Sequence, residues 1–113
     1  NRSSNLRSSL MFYDKRKYIV TICGGRGSIV TEVLRGRVEH LVISPQTEDT
    51  IWDVAIADGQ GDELFKARNI EGRLQRENCI GIGRDSGEKL TISFSRLTRN
   101  EPIKVILKIR ELE

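Results

Sequence analysis

Near its C-terminus the chain changes between apolar and polar side chains almost residue by residue. Leu90, Ile92 and Phe94 alternate with Lys89, Thr91, Ser93 and Ser95, and Ile103, Val105, Leu107 and Ile109 alternate with Lys104, Ile106, Lys108 and Arg110. Successive side chains of an extended strand point to opposite faces, so a period of two describes a strand with one dry face and one wet face. The same period recurs earlier, where Tyr18, Val20 and Ile22 alternate with Lys17, Ile19 and Thr21, and Trp52, Val54 and Ile56 share one side of Thr50 to Ala57. Ile29 to Leu34 and Val38 to Ile43 are β-branched runs separated by Arg35-Gly36-Arg37, where the glycine marks either a bulge in one long strand or a tight turn. Pro45 ends the second run.

The turns between these runs are equally informative. Asp58-Gly59-Gln60-Gly61-Asp62 is turn chemistry between Thr50–Ala57 and a strand at Leu64–Ala67, so a hairpin is expected there. Asn69 to Leu74 around Gly72 and Cys79 to Ile82 between glycines read as weaker strands. No segment carries three turns of helical periodicity, and 113 residues suffice for one two-layer domain. The expectation is an all-β protein, an antiparallel β-sandwich of jelly-roll or Greek-key-like type with seven to eight strands. Trp52, Val54, Ile56, Leu90, Ile92, Phe94, Val105 and Leu107 are expected to line its core.

Residues 1–11 break the pattern: they are polar, serine-rich and basic, with neither strand nor helix period. We therefore divide the chain into a basic, extended N-terminal arm at 1–14 and a single β-sandwich domain at 15–113. Over residues 1–26, Arg2, Arg7, Lys15, Arg16, Lys17 and Arg26 face Asp14 alone, whereas the remainder is slightly acidic although the whole chain carries +3. Such an arm suits an acidic protein surface or phosphates, which makes Arg2, Arg7, Lys15, Arg16 and Lys17 the candidate partner contacts. The chain opens Asn1-Arg2-Ser3-Ser4 without a methionine or an apolar signal region, so residues are expected to be missing from its start.

The residues that carry chemistry elsewhere are sparse here. No run approaches the ~18 apolar residues of a spanning helix, and no membrane role is expected. Cys23 and Cys79 lack any zinc or redox spacing and are expected to be reduced, small core side chains, with a single bridge between them as the alternative. Gly24-Gly25-Arg26-Gly27 and Gly81-Ile82-Gly83 match no phosphate-loop pattern. Asp58, Asp62 and Glu63 crowd one turn but lack the spacing of a calcium loop. His40, the only histidine, would have to serve any triad with Ser44 or Cys23, yet it stands in a strand-like run where a half-exposed histidine is ordinary. No enzymatic activity, cofactor or metal is expected. Nucleic acid is not the expected partner either: Phe12 and Tyr13 adjoin Lys15-Arg16-Lys17, but aromatic and basic residues are not otherwise concentrated on the same strands.

Thr31 to Leu41, Trp52 to Asp58 and Ile70 to Leu74, followed by the strands Leu90 to Ser95 and Ile103 to Glu111, together resemble small phage-encoded β-sandwich virion proteins of the capsid decoration (cement) or tail accessory type. The resemblance spans roughly residues 31–112 and leaves the arm outside. It implies a non-enzymatic virion structural protein, made in the host cytoplasm, that binds and stabilises the capsid exterior. Its partners would be the major capsid protein or other virion subunits, with homo-oligomer formation open. The alternative is a nucleic-acid- or glycan-binding module of the same architecture, including a tail or neck accessory protein.

Overall fold

A computed structural model of the protein describes residues 11–82 and 87–112. Eight strands occupy most of them: β1 (Met11–Val20), β2 (Gly27–Leu34), β3 (Gly36–Pro45), β4 (Ile51–Ala57), β5 (Glu63–Glu71), β6 (Leu74–Ile82), β7 (Glu88–Ser95) and β8 (Ile103–Leu112). They form two four-stranded antiparallel sheets, ordered β1-β8-β3-β6 and β2-β7-β4-β5. The pairings are nested: β4 with β5, β3 with β6, β2 with β7 and β1 with β8. The chain is thus one long ribbon whose tip is the β4–β5 turn, folded so that successive nested pairs fall in opposite sheets. That is winding of the jelly-roll or Greek-key type, and the β-sandwich expected from the alternation is what forms.

The core lies between the inner faces. All eight residues expected there are at most 2% exposed, and Val20, Leu34, Val38, Leu41, Ile43, Leu74, Ile80, Ile103 and Ile109 join them. Trp52 and Phe94 meet edge to face with centroids 5.8 Å apart. The Trp52 indole N–H donates to the Gly72 carbonyl oxygen at 2.7 Å. Gly72 has φ 74°, and a Cβ there would stand 2.6 Å from the Glu48 carbonyl oxygen, so both conformation and space call for glycine. No buried side-chain nitrogen or oxygen among the described residues lacks a partner.

Several expectations need correction. β1 begins at Met11, so residues 11–14, assigned to the arm, are paired with β8 through Met11–Leu112 to Asp14–Ile109. The run MFYDKRKY hides a strand because its inward positions Asp14 and Arg16 are charged, lining the open rim between the sheets rather than the dry core. Residues 1–10 lie outside the described residues. Gly36 (φ 103°) is not a bulge in one long strand; of the two alternatives the tight turn is the nearer, a corner at which the chain leaves one sheet as β2 and enters the other as β3. β5 and β6 are longer than the weak patterns suggested, because their slips in alternation are bulges rather than ends. Cys23 is free and exposed, in the tight connection where it bridges Arg26, and is not a core side chain.

Candidate functional site

The wet faces of β1, β8 and β3 lie side by side on the outside of the first sheet. On β1 the exposed positions are Lys15, Lys17 and Ile19, and on β8 the outward set is Lys104, Ile106, Lys108 and Arg110. Register then places them in rows. Lys15 pairs with Lys108, which pairs with His40; Lys17 pairs with Ile106, which pairs with Val42. Ile19 pairs with Lys104, which pairs with Ser44, and Arg110 pairs with Arg37.

This face therefore carries Lys15, Lys17, Arg37, Lys104, Lys108 and Arg110 against two carboxylates, Glu39 and Glu77, in a chain whose whole net charge is +3. Glu39, at a bulge in β3, sits 2.6 Å from Arg110, and the Glu77 carboxylate lies 3.9 Å from the half-exposed His40 ring. Like charges directly opposite one another, as in Lys15–Lys108 and Arg37–Arg110, oppose folding. The middle of the face is apolar, with Ile106 and Val42 half-buried, and Ile19, 55% exposed, stands at its edge beside Lys104. At its end a depression of about 430 Å³ is lined by Ile19, Ser44, Pro45, Gln46, Pro102 and Lys104. An apolar centre rimmed by charge is the anatomy of a protein docking surface.

Of the candidate contacts read from sequence, Lys15 and Lys17 lie on this face. Arg16 does not. It turns to the rim between the sheets, where its Nε donates to Asp14 at 2.9 Å and its guanidinium pairs with Glu32 of β2 at 2.9 Å. The Tyr18 hydroxyl also donates to Glu32, at 2.9 Å. Burial and then that hydrogen bond hold the phenol well above its usual range, so it remains a donor. Tyr18 is thus a half-buried rim residue that packs against the core rather than part of it. Arg2 and Arg7 lie outside the described residues. Arg37, Lys104, Lys108 and Arg110 escaped the sequence reading, although the wet side of β8 was visible, because nothing local says that the first and last strands are neighbours.

Among the described residues, no three His, Cys, Asp or Glu side chains are grouped to hold a metal ion. The Asp58 carboxylate accepts the backbone N–H groups of Gln60 and Asp62 at 2.9 Å each, closing the β4–β5 turn on itself.

No protein-family model matches the sequence, and no curated protein matches it. Among solved structures, the Yersinia pseudotuberculosis-derived mitogen superposes over 90% of this chain and 88% of its own, with a TM-score of 0.50 and 14% identity. A chain of the cyanophage Pam1 capsid asymmetric unit covers 86% of both chains with a TM-score of 0.42 and 6% identity. The enzymatically active domain of tailspike protein 4 from bacteriophage CBA120 matches 93% of this chain but 20% of its own, with a TM-score of 0.36 and 11% identity. The two phage likenesses are too distant to carry an argument, and the likeness to the mitogen is one of fold alone.

Proposed function

We propose that the chain is a non-enzymatic virion structural protein of the capsid decoration type, docking on an acidic patch of the major capsid protein through the outer face of β1-β8-β3. The observation that carries the docking reading is the convergence of six cations around an apolar centre on one sheet face. The virion assignment is supported by the resemblance of residues 31–112 to phage β-sandwich proteins. A standard interface takes about 800 Å² from each partner, which a whole sheet face of this size supplies. The cations steer the approach and suppress wrong partners, and Ile19 beside its depression supplies the anchor. A polyanion would be drawn by the same charge, but it gains little from Ile106 and Val42 at the centre or from Ile19 at the edge.

The test is to mix the purified chain with shells lacking it and measure occupancy. Saturable binding in many copies per shell is expected, with Lys17→Glu/Lys104→Glu at least about tenfold weaker and Ile19→Asp also impaired. Occupancy unchanged in both variants would remove this face from the reading. Retention on heparin or single-stranded nucleic acid at about 0.15 M salt, without shell binding, would replace the reading with a nucleic-acid module.

A further inference from the structure

The opposite sheet carries a second unusual place, on the outer face of β7-β4-β5. Here the outward side chains are short: Ala55 pairs with Ser93, and Asp53 pairs with Ser95. Their small size leaves a concavity of about 400 Å³ lined by Asp53, Ala55, Ser93 and Ser95, with Lys66, Arg68 and Arg96 standing around it. That volume falls in the range of small-ligand sites and exceeds what one pyranose ring occupies.

Three departures from regular structure meet at Asp53. First, β5 is bulged: Trp52 pairs with Ile70 and Val54 with Ala67, so Arg68 and Asn69 together oppose Asp53. Arg68 continues the outward alternation of Lys66 and lines the same concavity as Asp53, while the extra residue returns Ile70 to the core side opposite Trp52. Second, Asn69 has φ 54° and its N–H donates to Asp53 Oδ1 at 2.9 Å, fixing the carboxylate's orientation. Third, Arg96 has φ 57°, a left-handed conformation that suits glycine and strains a side chain as large as arginine. Asn69 and Arg96 are the only non-glycine residues with positive φ among those described, and both lie against one carboxylate. Backbone strain concentrated in this way points to a selected site.

The groups present define what would fit. Arg96 stands 3.8 Å from Asp53 Oδ2, too far for a hydrogen bond, so that oxygen retains capacity to accept one. Asp53 itself is 8% exposed, which holds it rigidly at the floor. Arg68 is exposed and, among the described residues, faces no carboxylate within ion-pair distance, whereas Lys66 reaches Glu63 at 3.8 Å. A simple anion would gain from the arginines but meet repulsion from Asp53. A neutral sugar would use Asp53 and the serines and leave Arg68 idle. We propose that this concavity binds an acidic sugar, a ring bearing both a carboxylate and adjacent hydroxyls. The carboxylate lies between Arg68 and Arg96, a ring hydroxyl donates to Asp53 Oδ2, and Ser93 and Ser95 hold the remaining hydroxyls. The site is on the sheet opposite the proposed docking face, so a docked copy would still display it.

The experiment is a backbone and arginine side-chain NMR titration of the full chain with glucuronate, N-acetylneuraminate, glucose and inorganic phosphate. At least one acidic sugar should shift Asp53, Ser93, Ser95 and Arg96 resonances with millimolar affinity, and which one does so identifies the ring. Glucose and phosphate should each bind at least about tenfold more weakly, the loss expected when one partner of a charge-assisted pair is removed. Arg68→Ala should weaken the acidic sugar by a similar factor and leave glucose unchanged. Arg96→Gly is the sharper variant: glycine relieves the strain, so its melting temperature should hold or rise while acidic-sugar binding falls. Phosphate binding as tightly as both acidic sugars, glucose matching them, or Arg96→Gly retaining full binding would each overturn the proposal. Lys17→Glu/Lys104→Glu should leave the titration unchanged, which separates this site from the docking face.

Discussion

Phe94 and the Trp52 indole meet edge to face, and both are buried to 2% or less. Phe94→Ala leaves a ring-sized void between two sheets that cannot close on it, and should cost about 3–5 kcal/mol in urea unfolding. A loss below about 1 kcal/mol would place the ring outside the core. Glu101 acts at the surface end of the same layer. Its carboxylate accepts the Thr47 N–H at 2.9 Å, the Thr47 hydroxyl at 2.8 Å and the Thr50 hydroxyl at 2.9 Å, tying the β3–β4 connection to the β7–β8 connection. Burial pushes this carboxyl up, but the hydrogen bonds from Thr47, Thr50 and Gln46 outweigh it and hold it below the usual glutamate range. A carboxyl depressed in the folded state adds stability that is complete above the ordinary glutamate pKa of about 4.3 and is lost as pH falls through its lower folded value. Glu101→Gln should therefore be less stable than the native chain at neutral pH and should lose less on acidification, as followed by melting temperature from pH 7 to 3. Equal acid sensitivity in both would remove Glu101 as the group responsible. Phe94 was legible in the sequence because it falls on the apolar side of an alternation. Glu101 was not, because it stands in the polar run from Leu97 to Pro102, where no period says what a side chain faces.

At the level of strands, legibility ended where the alternation slips. Thr31-Glu32 in β2, Glu39 in β3 and Asn69 in β5 each interrupt the pairing, and each interruption places a functional or closing side chain. At Thr31 the hydroxyl takes the Leu90 N–H at 2.9 Å, replacing the ladder bond the bulge removes, while Glu32 is thrown out to Arg16 and Tyr18. A reader counting in twos loses the face at such a point, which is why β5 and β6 looked short and broken. β1 was half-legible for a different reason. Its inward residues Asp14 and Arg16 are polar because they line the open rim rather than the dry core. The extent of β1 makes a comparative prediction. A chain starting at Lys15 loses the pairs of Met11 to Asp14 with Leu112 to Ile109, whereas one starting at Met11 keeps them. The shorter chain should melt at least about 4 °C below the longer one, the shift that about 1 kcal/mol produces in a domain of this size. Equal melting temperatures would show that these four pairs add nothing to the sandwich.

Across the whole molecule, the nested winding that brings β1 beside β8 also orders its assembly. Pairing the first strand with the last directly would close a loop of most of the chain, and the entropy of closure grows with loop length. β4 and β5 need only the turn at Asp58–Asp62, so they can pair first. Once they have, β3 and β6 are held near each other, then β2 and β7, and finally β1 and β8. Each step closes a short effective loop, although the contacts it makes are distant in sequence. The two functional proposals sit at opposite ends of this order: the acidic-sugar site is built around the β4–β5 hairpin, and the basic face depends on β1 and β8. Matched deletions of one methylene in each region can read the order. Ile56 in β4 and Ile109 in β8 are both at most 2% exposed, so Ile→Val at either should cost roughly 0.5–1.5 kcal/mol. If the ribbon folds from its tip, Ile56→Val slows refolding with a φ-value above about 0.5. Ile109→Val leaves refolding nearly unchanged and speeds unfolding, with a φ-value below about 0.3. Stopped-flow chevrons of the two variants decide the matter. The opposite assignment, with Ile109 in the nucleus, would mean that β1 and β8 meet before the tip has formed, and that the basic face is assembled early.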